Sequence, residues 1–252
     1  AACDYDAIRA VCQKHHLLLI EDAAHSIGAS YRGTPVGSIA GLTTFSFHPV
    51  KTITAGEGGA VLTKDSALAK RVELFSRHGI TRDPALLRDH SNSNWYYEQR
   101  LLGYNYRMTD IQCALALSQL NKLERFAARR KELVRRYDEV FRKIPEVIIQ
   151  EEVEGSDTVR HLYILRLNFD RLTCGRKEFY DAMQAENIGV NVHYIPVYWL
   201  PYYQSLGFKK GLCPNAEAYY ESSMTLPLFY SMTDQDQDDV IQAVRKLIEY
   251  FR

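Results

Sequence analysis

Residues 43–63 read TTFSFHPVKTITAGEGGAVLT, two extended segments separated by a proline, a lone lysine and three glycines. Phe45 and Phe47 alternate after two threonines as strand residues do, and Pro49 has no backbone N–H with which to continue a ladder. The strand therefore stops just before Lys51 and leaves it at a strand end. Gly56, Gly58 and Gly59 let the backbone bend where side chains would obstruct it, and residues 60–63 resume an apolar extended run. Loops at strand ends are where open α/β sheets bind ligands.

Upstream, Asp4 and Asp6 open a helical pattern that places Ile8, Val11 and Cys12 on one face. Residues 17–20 form a short continuous apolar run, expected to be a strand buried on both faces, with Glu21 and Asp22 at its C-terminal end. This alternation of helix and strand predicts an α/β chain with a mixed, mostly parallel sheet. A helix is predicted over 66–75, carrying Leu68, Val72 and Phe75; residues 77–108 follow as a polar connection long enough to include a lid or an interface. Thr109 and Gln112 have capping-box spacing, and apolar residues from Ile111 to Phe141 recur at helical intervals, predicting one long or bent helix between two lobes. Beyond Pro145 the pattern predicts a small α/β lobe: a strand over 162–167, a helix over 176–186, a strand over 189–194 and a terminal helix over 236–251.

Lys plus Arg equals Asp plus Glu at 31 each, which disfavours nucleic acid or an anionic membrane as the main partner. No apolar run has the length of a spanning helix, and a soluble, cytoplasmic protein is expected. The five cysteines lack CxxC spacing and are expected to be reduced thiols. His48 and His193 lack the spacing of convergent metal ligands, so no metal is assigned. GEGG precedes a strand, whereas a dinucleotide fingerprint follows one and opens a helix, so NAD is not expected. The run RRKELVRR at 129–136 reads as a solvated helix face. Tyr194, Tyr198, Trp199, Tyr202 and Tyr203 suit either stacking on a planar or sugar ring, or a core or interface.

An acidic residue at one strand end, in IEDAAHSIG, and a lysine beyond another, in SFHPVKTITAGEGG, together suggest a cofactor. A lysine amine of lowered pKa attacks carbonyls, and the carbonyl it most often holds as a resting Schiff base is that of pyridoxal phosphate (PLP). Asp22 suits the pyridine nitrogen, because a carboxylate there keeps the ring protonated and makes it an electron sink. Ser46 and the glycine-rich backbone suit the phosphate.

The stretches EDAAH at 21–25, SFHPVK at 46–51, GEGGAV at 56–61, GYNYRMTDIQ at 103–112 and HYIPVY at 193–198 resemble the DegT/StrS family of PLP-dependent sugar aminotransferases, of fold type I. The resemblance extends over essentially the whole chain. It is nearest to the branch that aminates a UDP-linked 4-keto-6-deoxy-N-acetylhexosamine in the pseudaminic-acid pathway, with glutamate as donor. It implies that Lys51 is the Schiff-base lysine and proton shuttle, Asp22 the partner of the pyridine nitrogen, and His25 a partner of the ring hydroxyl, where many members have Gln. It further implies that Ser46 binds the phosphate, that Asn105 reaches the cofactor phosphate of a neighbouring subunit in a homodimer with shared active sites, and that His193 and Tyr194 bind substrate. Residues 1–126 are then the remainder of the large PLP-binding domain, and 127–252 the linking helix and small C-terminal domain. Further strands and a phosphate-binding helix are expected to precede residue 1, so that residues 1–252 alone would bind PLP poorly. The alternative is a non-catalytic PLP-binding or regulatory member. Lys51 argues against the family's sugar dehydratases, which have histidine at that position.

Overall fold

The computed structural model describes residues 2–90 and 93–252. In chain order its elements begin α1 (Tyr5–Lys14), β1 (Ile20–Asp22), β2 (Ser30–Tyr31), β3 (Thr34–Pro35), β4 (Leu42–Ser46), β5 (Gly59–Leu62) and α2 (Ser66–Ser76). Then follow β6 (Ile80–Thr81), β7 (Glu98–Gln99), α3 (Asp110–Leu120), α4 (Leu123–Phe141), β8 (Val147–Ile148) and β9 (Ser156–Asp157). The chain closes with β10 (Tyr163–Leu167), α5 (Arg176–Ala185), α6 (Pro201–Ser205), α7 (Pro214–Ser222), β11 (Ser223–Leu226) and α8 (Asp234–Tyr250). Two compact units result, residues 1–125 with 153–159, and residues 126–152 with 160–252. Among the described residues no helix is long and apolar enough to cross a membrane.

The first unit is built on a mixed sheet of order β1-β4-β5. β1 runs parallel to β4 with Asp22 opposite Thr44, and β4 runs antiparallel to β5 with Ser46 opposite Gly59. The parallel character is confined to the β1–β4 pair; the other described pairings are antiparallel. The run at 17–20 does not become a strand buried on both faces. Only Ile20 of it pairs, and Leu17, Leu18 and Ile20 are each more than half exposed, because β1 has β4 as its single partner among the described strands and no described element covers the run. α2 starts at Asp65, whose carboxylate accepts the N–H groups of Ala67 and Leu68.

The predicted long helix is divided. α3 begins with the expected capping box, in which Thr109 and Gln112 satisfy each other's backbone donors. It ends at Asn121, where the Lys122 N–H bonds the Gln119 carbonyl in a tightened turn, and α4 starts afresh at Leu123. Asparagine is a weak helix former whose side chain competes for backbone groups, which favours the stop.

The second unit owns a continuous core. Leu133, Tyr137 and Phe141 of α4, Tyr163, Leu165 and Leu167 of β10, Phe179 and Met183 of α5, and Val244 and Leu247 of α8 meet across an antiparallel sheet of order β11-β10-β8. The strand expected over 189–194 is reduced to one bridge, Asn191 with Thr225. Beside it the Val192 N–H is taken by the Asn191 side-chain oxygen, at 2.7 Å. The basic run at 129–136 is not simply a solvated face either. Arg130 is buried, its Nη1 donating to the carbonyls of His161 and Leu228, while Arg129 and Arg136 reach Asp234 and Asp238.

Candidate active site

Alternation along β1 turns Glu21 and Asp22 to opposite faces. Glu21 accepts the Thr43 hydroxyl at 3.0 Å, and burial pushes its carboxyl above the usual range. Asp22, at the other face, accepts the Ala24 N–H at 3.1 Å and is exposed to solvent. Three residues on, His25 is likewise exposed, in the turn that follows β1.

Ser46 is the last residue of β4, and its hydroxyl accepts the His48 N–H at 3.4 Å. The loop beyond it is closed from both sides. The Phe47 N–H donates to the Gly58 carbonyl at 2.8 Å, the Ala55 N–H and Thr54 hydroxyl both donate to the Phe47 carbonyl, and Thr54 Oγ1 also accepts the Gly56 N–H. Thr52, Ile53 and Ala55 are buried, so Lys51 emerges from a loop whose following residues are anchored. Gly59 is required for the closure: a Cβ there would lie 2.5 Å from the Phe45 carbonyl oxygen of the paired strand.

The Lys51 amine is held below its ordinary pKa, chiefly by burial, while the Asp22 carboxylate acts in the opposite sense. The structure thus brings Asp22, Ser46 and Lys51 to one end of the β1–β4 pair. Asn105 belongs to a different local network: its backbone bridges Arg77, and its side-chain oxygen accepts Arg107 Nε at 3.2 Å. His193 and Tyr194 lie in the second unit. His193 Nδ1 sits 2.7 Å from Thr225 Oγ1, and its ring meets that of Tyr194 edge-on at 4.5 Å. Tyr194 is two-thirds exposed. Of the aromatic series, Tyr198 and Trp199 are tied to the Glu217 carboxylate at 2.7 and 3.2 Å, whereas Tyr202 remains exposed. Thr225 is the contact that sequence reasoning missed, since a lone strand threonine carries no signal of its own.

The donor set at the β1–β4 end fits PLP. An amine made less basic by burial is suited to an aldehyde, a carboxylate within its field is suited to a ring nitrogen, and a hydroxyl ends the strand from which the lysine loop departs.

The chain matches the model of the DegT/DnrJ/EryC1/StrS aminotransferase family over residues 1–245. It is 42% identical over 250 residues to the spore coat polysaccharide biosynthesis protein SpsC of Bacillus subtilis, covering 98% of this chain and 64% of that protein. It is 34% identical over 246 residues to the UDP-4-amino-4,6-dideoxy-N-acetyl-beta-L-altrosamine transaminase of Campylobacter jejuni, with 98% and 62% covered. Among solved structures, Helicobacter pylori PseC, an aminotransferase involved in the biosynthesis of pseudoaminic acid, superposes with a TM-score of 0.88 at 31% identity, over 99% of this chain and 64% of that one. The chain therefore spans less than two thirds of the length of these relatives. The fold is that of the fold type I PLP-dependent aminotransferases, with a mixed sheet, and PLP is the cofactor of these enzymes. The match over residues 1–245 makes this chain a member of the DegT/DnrJ/EryC1/StrS aminotransferase family.

Proposed function

We propose that the protein carries out PLP-dependent transamination of a nucleotide-linked 4-ketosugar with L-glutamate as amino donor, in the biosynthesis of an aminosugar for a surface glycan. The observation that carries this reading is the Lys51–Asp22 pair, an amine of lowered basicity within the field of a carboxylate at a sheet end. The name of the Campylobacter jejuni relative, a transaminase of a UDP-linked aminosugar, supports the substrate class. When bound, PLP supplies an aldehyde that takes up the amino group and a ring that delocalises the electron pair left when a carbon-bound proton departs.

The protein's residues do the rest. Lys51 presents Nζ as the point of attachment and, when displaced by substrate, as the base and acid that moves the proton. Asp22 holds the pyridine nitrogen in its charged form, and His25 orients the ring hydroxyl. Ser46 takes the phosphate, aided by Asn105 of a partner subunit in a homodimer with shared active sites. His193 and Tyr194 contact the sugar nucleotide.

The test is an absorption spectrum of the purified protein with PLP, followed by glutamate and then by a panel of nucleotide ketosugars and simple keto acids. The expected result is a visible band of protein-bound cofactor that glutamate bleaches and a UDP-linked 4-ketosugar restores. Restoration by keto acids alone would move the protein to amino-acid metabolism, and a band indifferent to glutamate would leave a binding protein.

A further inference from the structure

His193 owes its setting to a residue far from it in sequence. β11 is buried along its length, with Met224 and Leu226 turned into the core, so Ser223 and Thr225 point to the opposite face. On one side Thr225 pairs with Ile164 of β10; on the other its backbone exchanges two hydrogen bonds with Asn191, the Thr225 N–H to the Asn191 carbonyl at 2.7 Å and the return bond at 3.3 Å. That bridge delivers the segment carrying His193 to the Thr225 side chain. The exit of the strand is held as well, by the Tyr137 hydroxyl on the Pro227 carbonyl at 2.9 Å and Arg130 Nη1 on the Leu228 carbonyl at 3.2 Å. Thr225 is 7% exposed, and its hydroxyl has His193 Nδ1, at 2.7 Å, as its sole side-chain partner among the described residues.

A Thr225 hydroxyl that donates across this contact makes Nδ1 an acceptor and puts the ring proton on Nε2, whereas the other tautomer would donate from Nδ1 to the hydroxyl oxygen. We infer that Thr225 is a positioning residue for substrate: it holds His193 as the Nε2–H tautomer, so that the ring offers a hydrogen-bond donor to an oxygen of the sugar nucleotide. The inference rests on the reading of His193 as a substrate contact, but the state of the ring can be measured apart from it.

The test uses the protein labelled with ¹⁵N-histidine, with His193 assigned by His193→Gln, together with kinetics of the PLP-loaded enzyme on the UDP-linked 4-ketosugar. The parent and Thr225→Ser are expected to show one tautomer, with Nε2 protonated, and Thr225→Val a mixture of both. Thr225→Val should raise the KM for the ketosugar roughly three- to tenfold, the worth of a single hydrogen bond, with kcat nearly constant and Thr225→Ser restoring the parent KM. Unchanged tautomer and unchanged KM in Thr225→Val, beside a raised KM in His193→Gln, would overturn the inference. An unchanged KM in His193→Gln would instead remove the substrate contact, and with it the role of Thr225 toward substrate.

Discussion

Lys51 and Asp22 act on each other at the end of the β1–β4 pair: burial lowers the basicity of the Lys51 amine, the Asp22 carboxylate opposes it, and burial is the stronger effect. Asp22→Asn removes the opposing term, so the Lys51 pKa falls further and the neutral amine is populated at lower pH. Acylation of Lys51 across a pH series, followed by mass spectrometry, should show the reactivity profile displaced to lower pH in the variant. Turnover should fall more than cofactor binding, because shape is kept and charge is lost. Superimposable profiles in parent and variant would separate the two residues electrically.

Lys51→Ala should abolish covalent retention of PLP, with borohydride reduction trapping no cofactor on the chain. Its effect on stability should stay below about 1 kcal/mol, since a half-buried loop lysine contributes little to a core. Reductive trapping at any other lysine would reassign the site.

Gly59→Ala forces a methyl group against the Phe45 carbonyl within the β4–β5 ladder, opposite Ser46. A cost of about 1–3 kcal/mol is expected from this overpacking, measurable by urea denaturation. Because the strain falls at the base of the lysine loop, PLP affinity should drop as well. Unaltered affinity would show that the loop keeps its shape without the β5 pairing.

Glu98 gathers the N–H groups of Arg88 and Asp89 at 2.7 and 2.9 Å and the Arg100 guanidinium at 2.9 Å. The Asp89 backbone bond and the Arg100 contact hold its pKa down at about 2, against an ordinary 4.5. A carboxylate depressed in the folded state adds stability above its unfolded pKa and loses it as pH falls through the folded value. Pepsin cleavage between residues 84 and 100 should therefore increase as the pH is lowered from 4.5 toward 2. Glu98→Gln should lose this window and be cut readily across it; matching cleavage profiles would show that the turn is held by other contacts.

Leu165→Ala removes a side chain that is 1% exposed in the core of the second unit. A loss of about 2–5 kcal/mol is expected, read as a lowered denaturation midpoint, while the Lys51–Asp22 coupling in the first unit should persist in the acylation profile.

The features legible in sequence are those that neighbouring residues settle among themselves. β4 stops at Ser46, earlier than Pro49 requires, but Pro49 has no donor with which to resume a ladder and glycines at 56, 58 and 59 shape the return, so the place of Lys51 in a loop beyond a strand end follows from local chemistry. Thr109 with Gln112 caps α3 for the same reason: both partners lie within one turn. Family resemblance added roles to Lys51, Asp22 and Ser46, which the fold then collected at one end of β1 and β4.

Packing decided what local pattern could not. The apolar run at 17–20 resembles a core strand, but exposure depends on whether another element covers it, and none of the described ones does. Arg130 reads as one more charge in RRKELVRR, yet the fold surrounds it and aims it at two distant carbonyls. Thr225 stands 32 residues from His193, and nothing at either position announces the other. The amino-acid sequence alone determined where α3 is capped and which lysine stands in a loop beyond a strand, because those outcomes rest on dihedral preferences and hydrogen bonds spanning a few residues. The tertiary structure alone decided which face is covered, which charge is buried and which hydroxyl meets the histidine, because those depend on contacts formed only when distant segments pack together.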